Sequence, residues 1–275
     1  MTLTRTFADL HTRPGGFLMP NAWDAGSAAV LEAAGFDAIA TTSGGIAFSM
    51  GRQDYAVSDP RLSVSRAQMF ARMAEIAAAV DIPVNGDLEA GWGDSPEAVA
   101  ETVRMAIDAG LAGGNIEDKV PMQPRLYDEG LAVARIAAAA EVIRASGTDF
   151  VLTARCDAIA FGGVTEAVRR SNLYLAAGAG CAFTPGTADA GDIRALVDGI
   201  DGPLNLVLGL GSLDGNAHDW LASGVQRVSL GGTLARACLG FLREAATELK
   251  GSGGLGFAAR QFSHGALNDL FARDR

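Results

Sequence analysis

Ser95-Pro96-Glu97-Ala98-Val99-Ala100-Glu101-Thr102-Val103-Arg104-Met105-Ala106-Ile107-Asp108-Ala109-Gly110-Leu111-Ala112-Gly113-Gly114-Asn115-Ile116-Glu117-Asp118 is the stretch from which the fold can be read. Ser95 reads as an N-cap, Pro96 as a first-turn proline, and Glu97 as an acid at the positive helix end. Val99, Val103, Ala106 and Ile107 recur at helical spacing, and Gly110 stops the helix in the left-handed conformation. A short strand follows and ends on Glu117-Asp118. Helix, glycine, strand and terminal charge together make one period of a parallel α/β fold.

The same signature recurs on both sides. Ala34-Gly35 precedes AIATTSGG, Ala177-Gly178 precedes AGCAFTPG, and Ser223-Gly224 precedes VQRVSLGG. The first two spacings, Gly35 to Gly110 and Gly110 to Gly178, each match about two βα units of an eight-unit chain. A second signature fills the gaps: Asp81-Ile82-Pro83 opens VNGDLE, Asp149 opens FVLTAR, and Asp201-Gly202-Pro203 opens LNLVLG. With the early run at 16–20, eight strands are predicted near 16–20, 38–43, 83–88, 113–117, 150–155, 181–185, 204–208 and 227–231. They lack alternation, as expected for strands buried on both faces. The fold class is therefore α/β, a closed (β/α)8 TIM-type barrel. An open doubly wound sheet is the alternative. It usually carries a glycine-rich turn after its first strand, whereas this chain has Pro20-Asn21-Ala22-Trp23-Asp24 there.

Two segments divide the chain: a barrel over 1–250, and a Gly-rich linker with a C-terminal helix over 251–275. The linker is Gly251-Ser252-Gly253-Gly254, and the helix is predicted over about 255–272. Its apolar residues, Leu255, Phe257, Phe262, Leu267, Leu270 and Phe271, must pack on something. Both its own barrel and a neighbouring subunit fit that need.

Composition narrows the function. The 275 residues are 49% hydrophobic and 20% charged, which builds a core. A net charge of −10 argues against nucleic acid as a partner. Mean hydropathy is +0.19, but the apolar runs are broken well short of the about 20 residues that a membrane span needs. Residues 1–10 carry Arg5 and Asp9 and no signal-peptide core, so a cytoplasmic location is expected. Cys156, Cys181 and Cys238 form neither a disulfide framework nor a CxxC pair, and Cys156 and Cys181 read as inert core residues. His11, His218 and His264 are too scattered for a zinc site and read as surface or helix residues. With only two lysines, Lys119 is the one Schiff-base candidate.

In a barrel, the C-terminal strand ends face the site. Those ends carry Thr42-Ser43-Gly44-Gly45, then Asp87-Leu88-Glu89 leading to Trp92, then Glu117-Asp118-Lys119, then Arg155-Cys156-Asp157, then Thr184-Pro185-Gly186. Asp87 and Glu89 lie two apart and share one face of an extended segment. With Glu117 they would repel one another unless a cation were present, and an oxygen-only set suits Mg²⁺ or Mn²⁺. Solvated loop acids or helix caps are the other reading. Arg155 could pair with Glu117 or Asp157, or clamp a substrate carboxylate. Ser43-Gly44-Gly45 offers backbone N–H groups to an oxyanion. Trp23 could wall the cavity or simply pack.

The ordered set Asn21-Ala22-Trp23-Asp24, Thr42-Ser43-Gly44-Gly45, Gly51-Arg52-Gln53-Asp54, Asp87-Leu88-Glu89-Ala90-Gly91-Trp92-Gly93, Asn115-Ile116-Glu117-Asp118 and Ala154-Arg155-Cys156-Asp157 resembles the isocitrate lyase/phosphoenolpyruvate mutase superfamily from about residue 16 to 245. The resemblance implies a Mg²⁺ (or Mn²⁺) enzyme acting on a small 2-oxo or 2-hydroxy dicarboxylic acid through an enolate. By position, Asp87 matches the direct metal ligand, and Glu89 and Glu117 match acids holding the metal through water. Asp54 matches an acid beside the metal. Ser43 and Gly44, with Gly45, match the substrate clamp, and Arg155 matches the substrate-gripping arginine. The resemblance also implies a homodimer or homotetramer whose final helix is exchanged between subunits. The chain departs from the lyase branch in its loop Lys119-Val120-Pro121-Met122-Gln123-Pro124-Arg125-Leu126-Tyr127-Asp128, which lacks the Lys-Lys-Cys-Gly-His thiol. Tyr127 or a water is left as proton donor. A lyase or decarboxylase is the first expectation. A phosphonopyruvate mutase- or hydrolase-type P–C enzyme and a non-catalytic 2-oxo acid binding protein are the alternatives.

Overall fold

Pro20 splits the first strand in two and thereby sets how the sheet closes. In the computed structural model, which describes residues 1–55, 62–210 and 215–272, β1 (Phe17–Met19) pairs with the last strand and β2 (Asn21–Ala22) pairs with the next one. Proline has no N–H to give to a ladder. Its carbonyl still accepts from the Ala40 N–H at 2.9 Å. The remaining strands are β3 (Ile39–Thr41), β4 (Val84–Asp87), β5 (Gly113–Glu117), β6 (Val151–Arg155), β7 (Cys181–Phe183), β8 (Leu204–Val207) and β9 (Arg227–Ser229). All pairs are parallel, in the order β1-β9-β8-β7-β6-β5-β4-β3-β2. The pairing of β1 with β9 makes a barrel and removes the open-sheet alternative. Each of the eight predicted strands falls on an observed one.

Helices α1 (Leu3–Leu10), α2 (Ala25–Ala33), α3 (Ser43–Ser49), α4 (Arg66–Ala78), α5 (Pro96–Asp108), α6 (Glu129–Ser146), α7 (Ile159–Ala176), α8 (Ala190–Gly199), α9 (Ala217–Ala222), α10 (Thr233–Ser252) and α11 (His264–Phe271) complete the described elements. Helix α5 begins as read: the Ser95 hydroxyl accepts from the Ala98 N–H at 3.3 Å. Gly35, Gly110, Gly178 and Gly224, the four helix-ending glycines, all have positive φ. Met69, Met73, Ile76, Val99, Val103, Leu152 and Leu196 are buried in the large apolar cluster of the fold. None of the described helices is long and apolar enough to cross a membrane.

The barrel lumen is unusually polar. Asn85, Asn115, Thr153, Asn205, Arg227 and Ser229 are all buried. This corrects the reading of His11 as a surface or helix residue, because it reaches Arg227. His11 caps the C-terminus of α1 and is 5% exposed. Its Nδ1–H donates to the Phe7 carbonyl at 2.8 Å, and its Nε2 accepts from Arg227 Nη1 at 2.9 Å. Guanidinium only donates, so the imidazole is neutral with its proton on Nδ1. Burial, reinforced by the Arg227 charge, lowers its pKa to about 3. Arg227 also donates to Asn205 Oδ1 (2.9 Å) and Thr153 Oγ1 (3.0 Å).

The C-terminal segment also differs from expectation. Helix α10 runs on through Gly251 and Ser252 and stops at Gly253, φ 74°. The single helix predicted over 255–272 is instead a 3₁₀ turn, Gly256–Arg260, followed by α11. The break arises because Gln261 is extended and the Ser263 hydroxyl caps a new helix by accepting from the Ala266 N–H at 3.1 Å. Helix α11 rests on α2 and buries none of its own residues.

Candidate active site

The C-terminal strand ends open on a cavity of about 400 Å³. Ser43, Gly44, Asp54, Asp87 and Arg155 line it, joined by Tyr55, Asn115 and Arg236. Each is placed by its element. Asp87 ends β4, where its backbone N–H donates to Thr41 Oγ1 at 2.9 Å. Its carboxylate accepts from the Ser43 N–H at 2.8 Å and from Asn115 Nδ2 at 3.1 Å. The Ser43 N–H of the expected clamp therefore holds Asp87. Gly44 leaves room for Asp54: a Cβ there would sit 3.0 Å from Asp54 Oδ2, so any larger residue would push that carboxylate aside. Gly45 and Trp23 are not among the lining residues. A Cβ on Gly45 would come 3.0 Å from the Trp23 Cβ and 2.5 Å from the Thr42 methyl, so these two residues pack behind the wall.

Arg155 ends β6 and makes both of the pairs open to it in the sequence. Its Nη1 donates to Glu117 Oε1 at 2.6 Å and its Nη2 to Asp157 Oδ1 at 2.9 Å. Its Nε is buried without a partner among the described residues. Asp157 is positioned in turn by Asp118, whose Oδ1 accepts from the Asp157 N–H at 2.8 Å. Tyr174 Oη donates to Asp118 Oδ2 at 2.7 Å. Glu117, at the end of β5, is buried and also accepts from Tyr55 Oη at 2.7 Å.

Glu89 departs from the extended geometry expected of it. Its φ is +48°, so the chain turns after β4 and the side chain enters a smaller adjoining cavity with Tyr55, Met69 and Trp92. Gly91 and Trp92 also have positive φ. Arg135 of α6 holds this loop by donating to the carbonyls of Ala90, Gly93 and Asp94. The Tyr127 ring lies 4.0 Å below the Arg135 guanidinium, and its hydroxyl donates to Asp94 at 2.6 Å. Tyr127 is thus a loop-holding residue. Lys119 lies on a short antiparallel bridge with Leu126, and neither it nor Tyr127 lines the cavity.

The acids carry the mark of an uncompensated cluster. Burial, and then repulsion from Asp87, pushes Asp54 up to about 6 and Glu89 up to about 9. Burial also raises Glu117, against the pull of Arg155. An oxygen-only donor set with raised carboxyl groups suits a hard divalent cation. Among the described residues no three acids stand close enough to enclose one directly. Of the three acids that the resemblance assigns to the metal, Asp87 lines the cavity and would carry the direct contact, while Glu89 and Glu117 lie outside its lining and would be reached through water.

Sequence reading missed Tyr55 and Arg236. Tyr55 directly follows Asp54 and has a left-handed backbone, φ 54°. Arg236 is the first basic residue after the last strand, on the opening turn of α10. Its backbone N–H donates to the Gly232 carbonyl at 3.0 Å, and its guanidinium makes no hydrogen bond or ion pair among the described residues.

Comparison with known proteins agrees with this geometry. Residues 7–250 match the family model described as phosphoenolpyruvate phosphomutase. A candidate lyase/mutase from Burkholderia cenocepacia J2315 superposes with a TM-score of 0.91 at 42% identity, covering 98% of this chain and 96% of that one. A phosphonopyruvate hydrolase solved with oxalate and Mg²⁺ gives a TM-score of 0.85 at 27% identity, covering 98% and 95%. The 2-methylisocitrate lyase of Escherichia coli is 29% identical over 187 residues, which span 66% of this chain and 61% of that protein. The chain belongs to the phosphoenolpyruvate phosphomutase family, within the isocitrate lyase/phosphoenolpyruvate mutase superfamily of enzymes.

Proposed function

We propose that this protein is a Mg²⁺-dependent carbon–carbon lyase or decarboxylase for a small 2-oxo or 2-hydroxy dicarboxylic acid. What supports this most is the pairing, across one cavity, of a cation-seeking acid cluster with an arginine that keeps one buried N–H unpartnered. A bound Mg²⁺ would withdraw charge from the substrate's carboxylate and 2-oxygen and so stabilise an enolate.

The chain's own residues do the rest. Arg155, braced by Glu117 and Asp157, orients a substrate carboxylate. Arg236, across the cavity, takes the second carboxylate, which favours a diacid over a monoacid. Asp54 is suited to proton transfer because its carboxyl, raised to about 6, titrates close to neutrality. The absence of a thiol in the 119–128 loop turns the reaction away from the usual isocitrate cleavage. The same proposal covers assembly: a homodimer or homotetramer in which the segment after Gly253 is exchanged between subunits.

The test is a Mg²⁺-dependent screen of 2-oxo and 2-hydroxy diacids, with phosphonopyruvate as the P–C control. A diacid at 100-fold over its Kd stabilises the protein by about 2.7 kcal/mol. Asp87→Ala and Arg155→Ala abolish that response and the turnover that accompanies it. Phosphate release from phosphonopyruvate without diacid cleavage sinks the lyase reading. Tight diacid binding with no product at all replaces it with a binding protein.

A further inference from the structure

Behind the wall of the main cavity, a chain of buried side chains runs from α7 to Arg155. Asp118, 4% exposed, and Tyr174, 1% exposed, are at its centre, and neither lines the cavity. Tyr174 lies on the buried face of α7 with Ala167 and Ser171. Its hydroxyl donates to Asp118 Oδ2 at 2.7 Å and accepts from Arg170 Nη1 at 3.3 Å, one turn earlier on the same helix. Arg170 is held in turn by Glu166 Oε1 at 2.9 Å. On its other side, Asp118 Oδ1 accepts from the Asp157 N–H at 2.8 Å. Asp157 Oδ1 then accepts from Arg155 Nη2 at 2.9 Å, while its Oδ2 has no partner among the described residues. The aim of Asp157 at Arg155 is thus set by the anchoring of its own backbone.

The fold itself does not ask for these polar groups. The backbone of Asp118 already ties the strand ends, donating to the Arg155 carbonyl at 3.0 Å and accepting from the Tyr127 N–H at 2.8 Å. A buried carboxylate and a buried phenol hydroxyl each cost free energy unless they are paired. Replacing both partners of such a pair by apolar groups of the same shape is often close to neutral for stability. Both side-chain oxygens of Asp118 are nonetheless committed, one to the residue that braces Arg155 and the other to Tyr174. From this chain of contacts we infer that Asp118 and Tyr174 are positioning residues: together they fix Asp157, and through it the angle at which Arg155 meets a substrate carboxylate. The inference rests on the proposed role of Arg155 in the main cavity. A guanidinium–carboxylate contact depends on orientation, so loosening its brace lowers ligand affinity without removing any group that touches the ligand.

The experiment is calorimetric titration of Mg²⁺ alone, and of malate with Mg²⁺ present, into wild type, Tyr174→Phe, Asp118→Asn, Asp157→Ala and the double variant Tyr174→Phe with Asp157→Ala. Phenylalanine fills the space of Tyr174 and removes only the hydroxyl. Asparagine keeps the acceptor for the Asp157 N–H and gives up the one for Tyr174, so it tests the same link by a second route should Tyr174→Phe not fold. Each single change on this link weakens malate binding by about three- to tenfold, while Mg²⁺ binding is unchanged. General loosening of the site would weaken both, because Glu117 adjoins Asp118. In the Asp157→Ala background the brace is gone, and Tyr174→Phe has no further effect on malate affinity. Unchanged malate affinity in the folded variants, parallel losses of malate and Mg²⁺, or losses that add fully in the double variant overturn the inference and leave the diacid reading intact. If malate does not bind wild type, both fall.

Discussion

At the scale of single residues, the acids of the cavity are held under tension that a cation would release. Glu89 ionises in the unfolded chain near its ordinary value, but in the folded protein only at about 9. A carboxyl group raised on folding binds more protons in the folded state, so stability falls as pH rises from about 4.5 to 9. Replacing it with a neutral isostere removes that slope. Glu89→Gln is expected to melt higher than wild type at pH 8–9 in EDTA, by about 2 °C or more, and to match it near pH 5. With Mg²⁺ the order reverses, because the variant loses an acid that would help hold the ion. Melting curves at three pH values, with and without Mg²⁺, check this; identical pH slopes would mean that Glu89 is not the source. Arg155 gives a second case. Arg155→Ala leaves buried Glu117 and partly buried Asp157 unpaired, which costs about 3–5 kcal/mol by analogy with other broken buried pairs. Ligand binding is lost as well. Arg155→Gln in a Glu117→Gln background should recover much of the stability but none of the binding, separating the two roles by denaturant titration and calorimetry.

At the scale of elements, local chemistry was readable where one rule acted alone. The helix-ending glycines and the strands that follow them were legible because a left-handed residue at a helix end admits few alternatives. Asp87 and Arg155 were legible because polar residues that end apolar strands face the site, whereas Asp54, in the loop after α3, was legible only through the family resemblance. Three features were not legible, each for a tertiary reason. Glu89 turns away because Arg135, 46 residues later, pins its loop by three carbonyls. Arg236 enters the cavity from a helix opening that carries no polar strand-end signature. His11 looked like an ordinary helix-end histidine, and only the barrel brings it to Arg227. That last contact gives α1 a defined task at the bottom of the barrel. The His11 pKa is depressed on folding, so its contribution is complete above about 6.5 and is lost progressively as pH falls towards 3. His11→Ala leaves an Arg227 N–H without its acceptor and should cost about 1–3 kcal/mol at pH 7. The deficit relative to wild type should shrink between pH 6.5 and 4. Urea titrations at those pH values check it, and a deficit independent of pH would reassign the loss to packing.

At the scale of the whole molecule, one surface is left unfinished. Leu239, Leu242 and Leu249 on α10, Leu255 after it, Phe262, and Phe271 on α11 are all exposed, several by more than half. An apolar stripe of this length on a single chain is what the proposed association would cover. It runs across Gly253, whose left-handed backbone ends α10 and lets the following segment leave in another direction. Helix α11 reaches α2 of its own chain with only partial cover. A twofold partner could offer the same α2 surface while its own α10 covers the leucines, so one exchange answers both exposures. The expected result is a dimer or tetramer in sedimentation velocity at micromolar concentration. Removing residues 254–275 takes away the segment proposed to be exchanged while leaving every described strand and every residue lining the main cavity in place. The shortened chain should sediment as a smaller species and melt several degrees lower, yet still bind the diacid whenever it stays folded. Leu242→Glu with Leu249→Glu tests the α10 face separately, because it adds charge to exposed positions without shortening the chain. A full-length protein that sediments as a monomer at all concentrations would show that α11 simply closes on its own α2, and the exposed leucines would then need another occupant.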